Sequence, residues 1–371
     1  MDSSLNKLLF TRRKTVADYT WKSILNQLVV KHEHLTQEQS EWYVDELMDG
    51  NADPAAVGAV LATQQQLGLT ADEVAGAAHA MVEHALPLPL TGQTTDLVGT
   101  GGDGFATVNI STTAAIIAAA AGVKIAKHGS RAASSKSGAA DCLEALGLPL
   151  DLTPEQAAEV GEKVGITFAF ARVFHPAMRF VGPIRAQLGV PCVFNVLGPI
   201  TNPAHPKHCV IGCADRALGA IMAEVLRKQG ATGMVFTSHE GMDELAPTGP
   251  VTVWHIEADG VSEGTFDPVA ELGLAKIDVS DLRGDTPEYN ARVARDVISG
   301  RELPCTSTIL LNAAAAIAIN TQLLDEPDAP LAQRMAEAYG IAKTTVESGA
   351  AVRKLDEWIG AAKAIKAGAA A

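Results

Sequence analysis

Residues 99–138 hold two loops whose composition could grip a highly charged ligand. The first reads Gly99-Thr100-Gly101-Gly102-Asp103-Gly104. The second reads Lys127-His128-Gly129-Ser130-Arg131-Ala132-Ala133-Ser134-Ser135-Lys136-Ser137-Gly138. Each follows a short apolar, strand-like run (96–98 and 123–126) and leads into an Ala-rich helical run (111–121 and 138–146). A glycine loop that opens a helix offers free backbone N–H groups at the positive end of the helix dipole, which favours an anion. Two such loops so close together point to one ligand with two phosphate groups, or with a phosphate and a pyrophosphate.

Other residues extend this chemistry. Asn109-Ile110-Ser111-Thr112 carries ordinary N-capping side chains. Beside a glycine loop, the same hydroxyls can hydrogen-bond a phosphate or ligate a hard cation. Lys127 can neutralise a pyrophosphate, and Ser134 and Ser135 can donate to it. Arg131 fits either a ligand cation or a structural ion pair. The adjacent carboxylates Asp243 and Glu244 follow a strand-like run. They suit Mg²⁺, which keeps waters and needs only one or two protein carboxylates plus substrate phosphates. His175-Pro176 and Arg185 share a later segment, and the Arg185 guanidinium is a candidate for a bidentate grip on a carboxylate.

The first loop also satisfies the G-x-G-x-x-G pattern of dinucleotide folds. That reading wants an acid about 20 positions on for a ribose hydroxyl. The zone instead reads Ala120-Ala121-Gly122-Val123-Lys124-Ile125-Ala126-Lys127-His128. Asp103 inside the loop would repel a pyrophosphate unless a metal or a sugar hydroxyl intervened. Both features argue against a nicotinamide cofactor.

The elements that must position these residues fall into two kinds. Up to about residue 83 the chain reads as helices. Trp21, Ile24, Leu25 and Leu28 follow helical spacing. Thr36 with Gln39 makes a capping pair, Asp53-Pro54 places Pro at a first helical turn, and Thr70 opens a fourth helix. The Pro/Gly stretch 86–92 marks a boundary. This gives residues 1–90 as a helical domain and 91–371 as a larger α/β domain with a largely parallel central sheet. Strands are expected at 95–98, 123–126, 167–169, 190–194, 209–212, 233–237, 251–256 and 308–311. Residues 175–188 read as a helix with two prolines and 195–206 are Pro/Gly-rich. That break in the alternation suggests that part of 175–206 rejoins the helical domain and lines a cleft.

Bulk properties narrow the partners. The 371 residues are 47% hydrophobic and 19% charged, enough for a sizeable core. A net charge of −14 and a pI near 5.1 leave no basic footprint for nucleic acid. Cys142, Cys192, Cys209, Cys213 and Cys305 form no C-x-x-C pair and read as reduced thiols. No apolar run reaches the ~18 residues of a membrane span, and no long apolar segment follows Arg12 and Arg13. The expectation is a soluble, cytoplasmic protein with frayed ends over the first ~15 residues and after Ile359.

Over residues 20–355 the chain resembles the anthranilate phosphoribosyltransferase family. The resemblance rests on Gly99-Thr-Gly-Gly-Asp103, Asn109-Ile-Ser-Thr112, Lys127-His-Gly-x-Arg131, Phe174-His-Pro176, Phe194-Asn-x-Leu-Gly-Pro-x-Thr-Asn-Pro203 and Asp243-Glu244-Leu245. Six motifs in order are specific where any one is not. The resemblance implies phosphoribosyl pyrophosphate and anthranilate as substrates, two Mg²⁺ ions per subunit, and a homodimer joined through the helical domain. By motif, Gly99, Gly102, Asp103, Thr107, Asn109, Ile110, Ser111, Thr112, Lys127, His128, Gly129, Ser130, Arg131, Ala132, Ala133, Ser134, Ser135 and Ala139 would bind phosphoribosyl pyrophosphate. Gly99, His128, Ser130, Pro176, Met178 and Arg185 would bind anthranilate. Ser111, Asp243 and Glu244 would serve the metals, with Lys127, Asp243 and Glu244 carrying the catalysis. The chain departs from the family at Ser130, where Asn is usual and a shorter hydroxyl replaces an amide. Two other readings share this architecture, a pyrimidine nucleoside phosphorylase and a non-catalytic binder. The Asp243-Glu244 pair and the Asn109-Ile-Ser-Thr112 run count against the first, and the Asp243-Glu244 pair with the charge of −14 counts against the second.

Overall fold

Seven strands make one sheet in the order β3-β2-β1-β4-β5-β6-β7. They are β1 (Thr95–Gly99), β2 (Ile125–Gly129), β3 (Ile166–Phe170), β4 (His208–Gly212), β5 (Thr232–Ser238), β6 (Val251–Ile256) and β7 (Val261–Phe266). The first five run parallel, and β6 and β7 close the edge as an antiparallel pair. The structure is a computed structural model that describes residues 19–132 and 135–368.

Parallel strands need crossover helices, which bury the sheet on both faces. Alternation along the strands divides the core accordingly. Val210, Met234 and Phe236 face one cluster with the helices Ile110–Ala120 and Thr306–Ile319. Cys209, Ile211 and Val235 face the other, which they share with Ile24, Val44 and Leu61 of the N-terminal helices. The helical bundle is thus packed onto one face of the sheet. Its helices begin where the capping residues stand: Thr36, Asp53 and Thr70 each accept from the first turn of the helix that follows. The Trp21–Leu28 stripe forms a short helix, Trp21–Leu25, that continues as a π-helical turn, Asn26–Val30. The helix Met178–Leu188 packs on Gln37–Met48 and Pro54–Leu67. Ala177, Val181 and Cys192 are buried in the same cluster.

Three expectations are corrected, and one strand was not expected. Residues 308–311 are not a strand but lie within the helix Thr306–Ile319. That run is apolar all round because the helix is almost wholly buried, so periodicity could not separate the two. Residues 190–194 form a loop entering the short helix Phe194–Leu197, where Gly189 and Pro191 override β-branched propensity. The strand β7 is polar between its ends, and its two apolar residues, Val261 and the buried Phe266, fall on opposite faces and give no alternation by which to expect it. The C-terminal run past Ile359 is ordered helix, Ala350–Gly368, with Ala361 and Ala362 buried and Lys366 paired with Asp151. The N-terminal residues expected to fray lie outside the described residues. All five cysteines are free and buried, and no described helix is long and apolar enough to cross a membrane.

Candidate active site

Three loops meet at the carboxyl ends of β1, β2 and β5. In the first, Gly101, Gly102 and Gly104 have φ of +67°, +79° and +78°, and a Cβ on any of them would meet nothing within 4 Å. Glycine is needed there for backbone conformation, not for space. At Gly99 the reason is the reverse: a Cβ would lie 2.1 Å from Asp243 Oδ2. At Gly212, the end of β4, it would lie 1.7 Å from the Asp243 carbonyl oxygen. Asp243 therefore docks into a slot between β1 and β4, where the Gly101 N–H donates to its Oδ2 at 2.6 Å.

The charges in this slot are crowded and buried. Asp243 and Glu244 are each 7% exposed. Burial, then the neighbouring Asp103, pushes the Asp243 carboxyl up to about 7. Burial, then Asp243, pushes Glu244 well above its ordinary range. Asp103 accepts from the Phe105 N–H at 3.1 Å through Oδ1. Its Oδ2 is buried and without a partner among the described residues. Lys127 on β2 is 1% exposed and donates to the Leu97 carbonyl at 2.6 Å and to Ser111 Oγ at 3.3 Å. Burial lowers its pKa, and Asp96 and Glu244 oppose that fall. Among the described residues, no group of three or more His, Cys, Asp or Glu is placed to hold a metal unaided.

The helix Ile110–Ala120 points its first turn into the same place. Ile110 turns into the core, Ser111 is half-buried, and Thr112 Oγ1 is buried without a partner among the described residues. Thr107 is held by an isolated bridge to Arg283.

The second loop folds over Gly138, where a Cβ would lie 2.4 Å from the Ala132 nitrogen. Asp141 Oδ2 accepts from the Ala132 and Gly138 N–H groups, both at 2.9 Å. Arg131 pairs with Asp141 and with Glu144, each at 2.8 Å. Of its two sequence readings, the structural ion pair is the one formed. Ser130 is exposed and donates to the Arg131 carbonyl at 3.0 Å. Ser135 is exposed, and Ala139 starts the next helix beside Gly129. Ala133 and Ser134 lie outside the described residues.

Across from these loops stands the segment 171–200. His128 Nδ1–H donates to the Gly198 carbonyl at 2.8 Å, which fixes its tautomer and leaves Nε2 as a buried acceptor with no partner among the described residues. The His175 ring lies 5.0 Å from the His128 ring. Burial pushes His128 down to about 3 and His175 to about 4, so both are neutral near pH 7. Pro176, Met178 and Arg185 are half-buried on this segment. Arg185 Nη2 reaches Asn195 Oδ1 at 3.4 Å, which also accepts from the Cys192 N–H at 3.0 Å. The His128 contacts join this group to the phosphate-type loops.

Three residues at the site, Asp96, Ser137 and Asn290, were given no role by the sequence. Asp96 is fully buried and accepts from the His128 N–H at 3.1 Å and from Asn202 Nδ2 at 2.8 Å. An aspartate inside a buried parallel strand was itself a sign of a partner. Ser137 and Asn290 both bond the Asn109 amide. Asn290 sits 181 residues from Asn109, beyond any local pattern.

Comparison with known proteins gives the same picture. The glycosyl transferase family a/b domain matches residues 91–352, and the helical bundle domain of that family matches residues 22–85. The anthranilate phosphoribosyltransferase of Arthrobacter sp. (strain FB24) is 44% identical over 343 residues, covering 92% of this chain and 96% of that protein. That of Leifsonia xyli subsp. xyli is 43% identical, covering 93% and 99%. The crystal structure of the Thermus thermophilus enzyme shares 38% identity and a TM-score of 0.83, over 92% of this chain and 99% of that one. The Saccharomyces cerevisiae enzyme in complex with PRPP and Mg shares 28% identity and a TM-score of 0.83, over 94% and 99%. With more than nine-tenths of its length aligned at such identity, and both parts of the fold matched, the chain belongs to the anthranilate phosphoribosyltransferase family.

Proposed function

We propose that the protein transfers the phosphoribosyl group of phosphoribosyl pyrophosphate to the amine of anthranilate. The products are N-(5-phosphoribosyl)anthranilate and pyrophosphate, a step of L-tryptophan biosynthesis. The observation that carries this reading is the unfinished acidic slot. Asp243 and Glu244 are pushed towards protonation, and Asp103 Oδ2 has no partner among the described residues. Such a cluster fits a hard cation that completes its shell with water and substrate oxygens. Asp243, Glu244 and Ser111 would hold Mg²⁺, two ions per subunit. Bound there, Mg²⁺ would offset negative charge on the pyrophosphate.

The chain's own residues do the rest. Loop amides at 99–104, the first turn at Ser111 and Thr112, and the buried Lys127 ammonium stabilise charge as pyrophosphate leaves. Asn109, Thr107 and the 127–135 loop orient the ligand. An arylamine is already neutral at pH 7, so its lone pair needs no strong base. His128, neutral with Nδ1–H committed to Gly198, offers Nε2 as an acceptor for an amine N–H. Arg185 grips the anthranilate carboxylate, with Pro176 and Met178 beside it. The amine attacks the anomeric carbon as the C–O bond to pyrophosphate breaks, and the configuration inverts. No covalent enzyme intermediate is involved. A homodimer joined through the helical domain of residues 1–90, and a cytoplasmic location, complete the proposal.

The test follows anthranilate fluorescence in the presence of phosphoribosyl pyrophosphate, with and without Mg²⁺. Signal loss that requires both additions is expected. No loss, in protein shown to be folded, would transfer the activity to another acceptor amine or remove it.

A further inference from the structure

Asn109 occupies the N-cap of the helix Ile110–Ala120, yet its side chain makes no capping bond. It is diverted sideways. Its Oδ1 accepts from Asn290 Nδ2 at 2.8 Å and from Ser137 Oγ at 2.9 Å. The Nδ2 group is thereby turned to the opposite side, where one hydrogen reaches the Ser137 carbonyl at 3.3 Å. Its second hydrogen has no partner among the described residues. An amide turned by half a rotation has nearly the same shape but the opposite polarity, so something must fix which end faces the ligand.

Asn290 supplies that direction. It is 2% exposed and its Oδ1 accepts from the backbone N–H of Asp285 at 3.0 Å. A backbone N–H can only donate, so Asn290 must place its oxygen there and its Nδ2 towards Asn109. Asn109 must then place its oxygen towards Asn290 and its N–H₂ away. The segment before Asn290 is anchored to the first loop as well. The Val108 N–H donates to the Leu282 carbonyl, and the Gly284 N–H to the Ala106 carbonyl, both at 2.8 Å. A Cβ at Gly284 would lie 2.6 Å from the Thr107 carbonyl oxygen. The direction is thus passed from a rigid backbone to the site.

We propose that Asn290 is a positioning residue for phosphoribosyl pyrophosphate, acting through Asn109 to present a donor, not an acceptor, to the anionic ligand. The inference rests on the proposed reaction. Asn290→Asp tests it, because a carboxylate of the same shape can only accept. Facing that carboxylate, the Asn109 amide is driven to turn over, giving up its long 3.3 Å bond to the Ser137 carbonyl, and presents its oxygen to the ligand. The expected result is a rise of about tenfold in KM for phosphoribosyl pyrophosphate, the size of one lost charge-assisted hydrogen bond. KM for anthranilate and kcat stay within about twofold. Asn290→Ala, which leaves Ser137 donating to Oδ1, should raise that KM less. Equal effects of Asp and Ala, or equal rises for both substrates, would overturn the inference.

If Asn290→Asp fails to fold, the pair Asn290→Ala and Ser137→Ala decides. Removing both donors should raise the KM by more than the product of the single effects, and a simple product would overturn the inference. Calorimetry with phosphoribosyl pyrophosphate separates the two claims. Wild-type protein that does not bind it removes the reaction and this inference together. Wild type that binds while Asn290→Asp binds equally well removes this inference alone.

Discussion

The buried carboxylates Glu73 and Asp243 are treated in opposite ways. In the helical bundle, Glu73 is fully buried and ringed by donors. The Leu35 N–H and Gln64 Nε2 reach its Oε1, each at 3.2 Å, while the Thr70 N–H and hydroxyl reach Oε2 at 3.0 and 2.9 Å. His34 Nδ1 lies 3.2 Å from Oε2. At the carboxyl ends of β1 and β4, Asp243 takes one backbone N–H from Gly101, and Asp103 leaves one oxygen without a partner among the described residues. Glu73 and Asp243 are both buried, but only Glu73 is finished by the protein. A carboxylate completed by its own chain ties elements together, whereas one left short of donors is built for a partner from outside.

The contrast breaks most sharply under substitution. Replacing Asp243 and Glu244 together with Ala should lower product formation by about 10³-fold, the scale of losing a main electrostatic stabiliser. The melting temperature should hold or rise, because two poorly compensated buried acids have gone. A melting temperature that fell by several degrees with activity retained would erase the distinction. The converse change is Glu73→Ala, expected to cost about 3 kcal/mol of stability through stranded donors. Urea unfolding measures that cost, and the folded fraction should keep both Michaelis constants. Altered substrate affinity there would mean that the bundle reaches the site.

An exposed carboxylate gives the lower bound. Glu162 is 38% exposed on its side chain, and bonds to Lys124 and Thr91 pull it down to about 2. A carboxyl lowered on folding stabilises above its ordinary range near 4.5, and that contribution fades as pH falls towards the lowered value. Solvent screening reduces it to about 0.5 kcal/mol. The urea midpoints of wild type and Glu162→Ala should therefore differ slightly at pH 7 and converge as pH falls from about 4.5 to about 2. A difference that persists undiminished in acid would assign the effect to packing of the side chain.

The sequence was legible where cause and effect lie close in the chain. Thr36, Asp53 and Thr70 announced their helices because a cap acts within one turn. The glycine loop and the Asp243-Glu244 pair could be read because their chemistry is written in adjacent residues. The helix Thr306–Ile319 was misread because burial on every side removes the period that marks a helix. The strand β7 was invisible because the edge residues between Val261 and Phe266 are polar and show no alternation. Asn290 and Asp96 could not have been assigned partners from the sequence, since the contacts exist only after the chain has closed over long distances.

The glycines that end β1 and β4 set how tightly the acid is keyed to the sheet. Asp243 fits only because both neighbours lack a methyl group, which would sit 2.1 Å from its carboxylate at position 99 and 1.7 Å from its carbonyl at position 212. Interiors this dense do not yield by such amounts. Neither strand can gain a side chain one step at a time without shifting the acid. A side chain at either position must displace Asp243, so Gly212 is tied to the geometry of the site although no contact with the ligand is assigned to it.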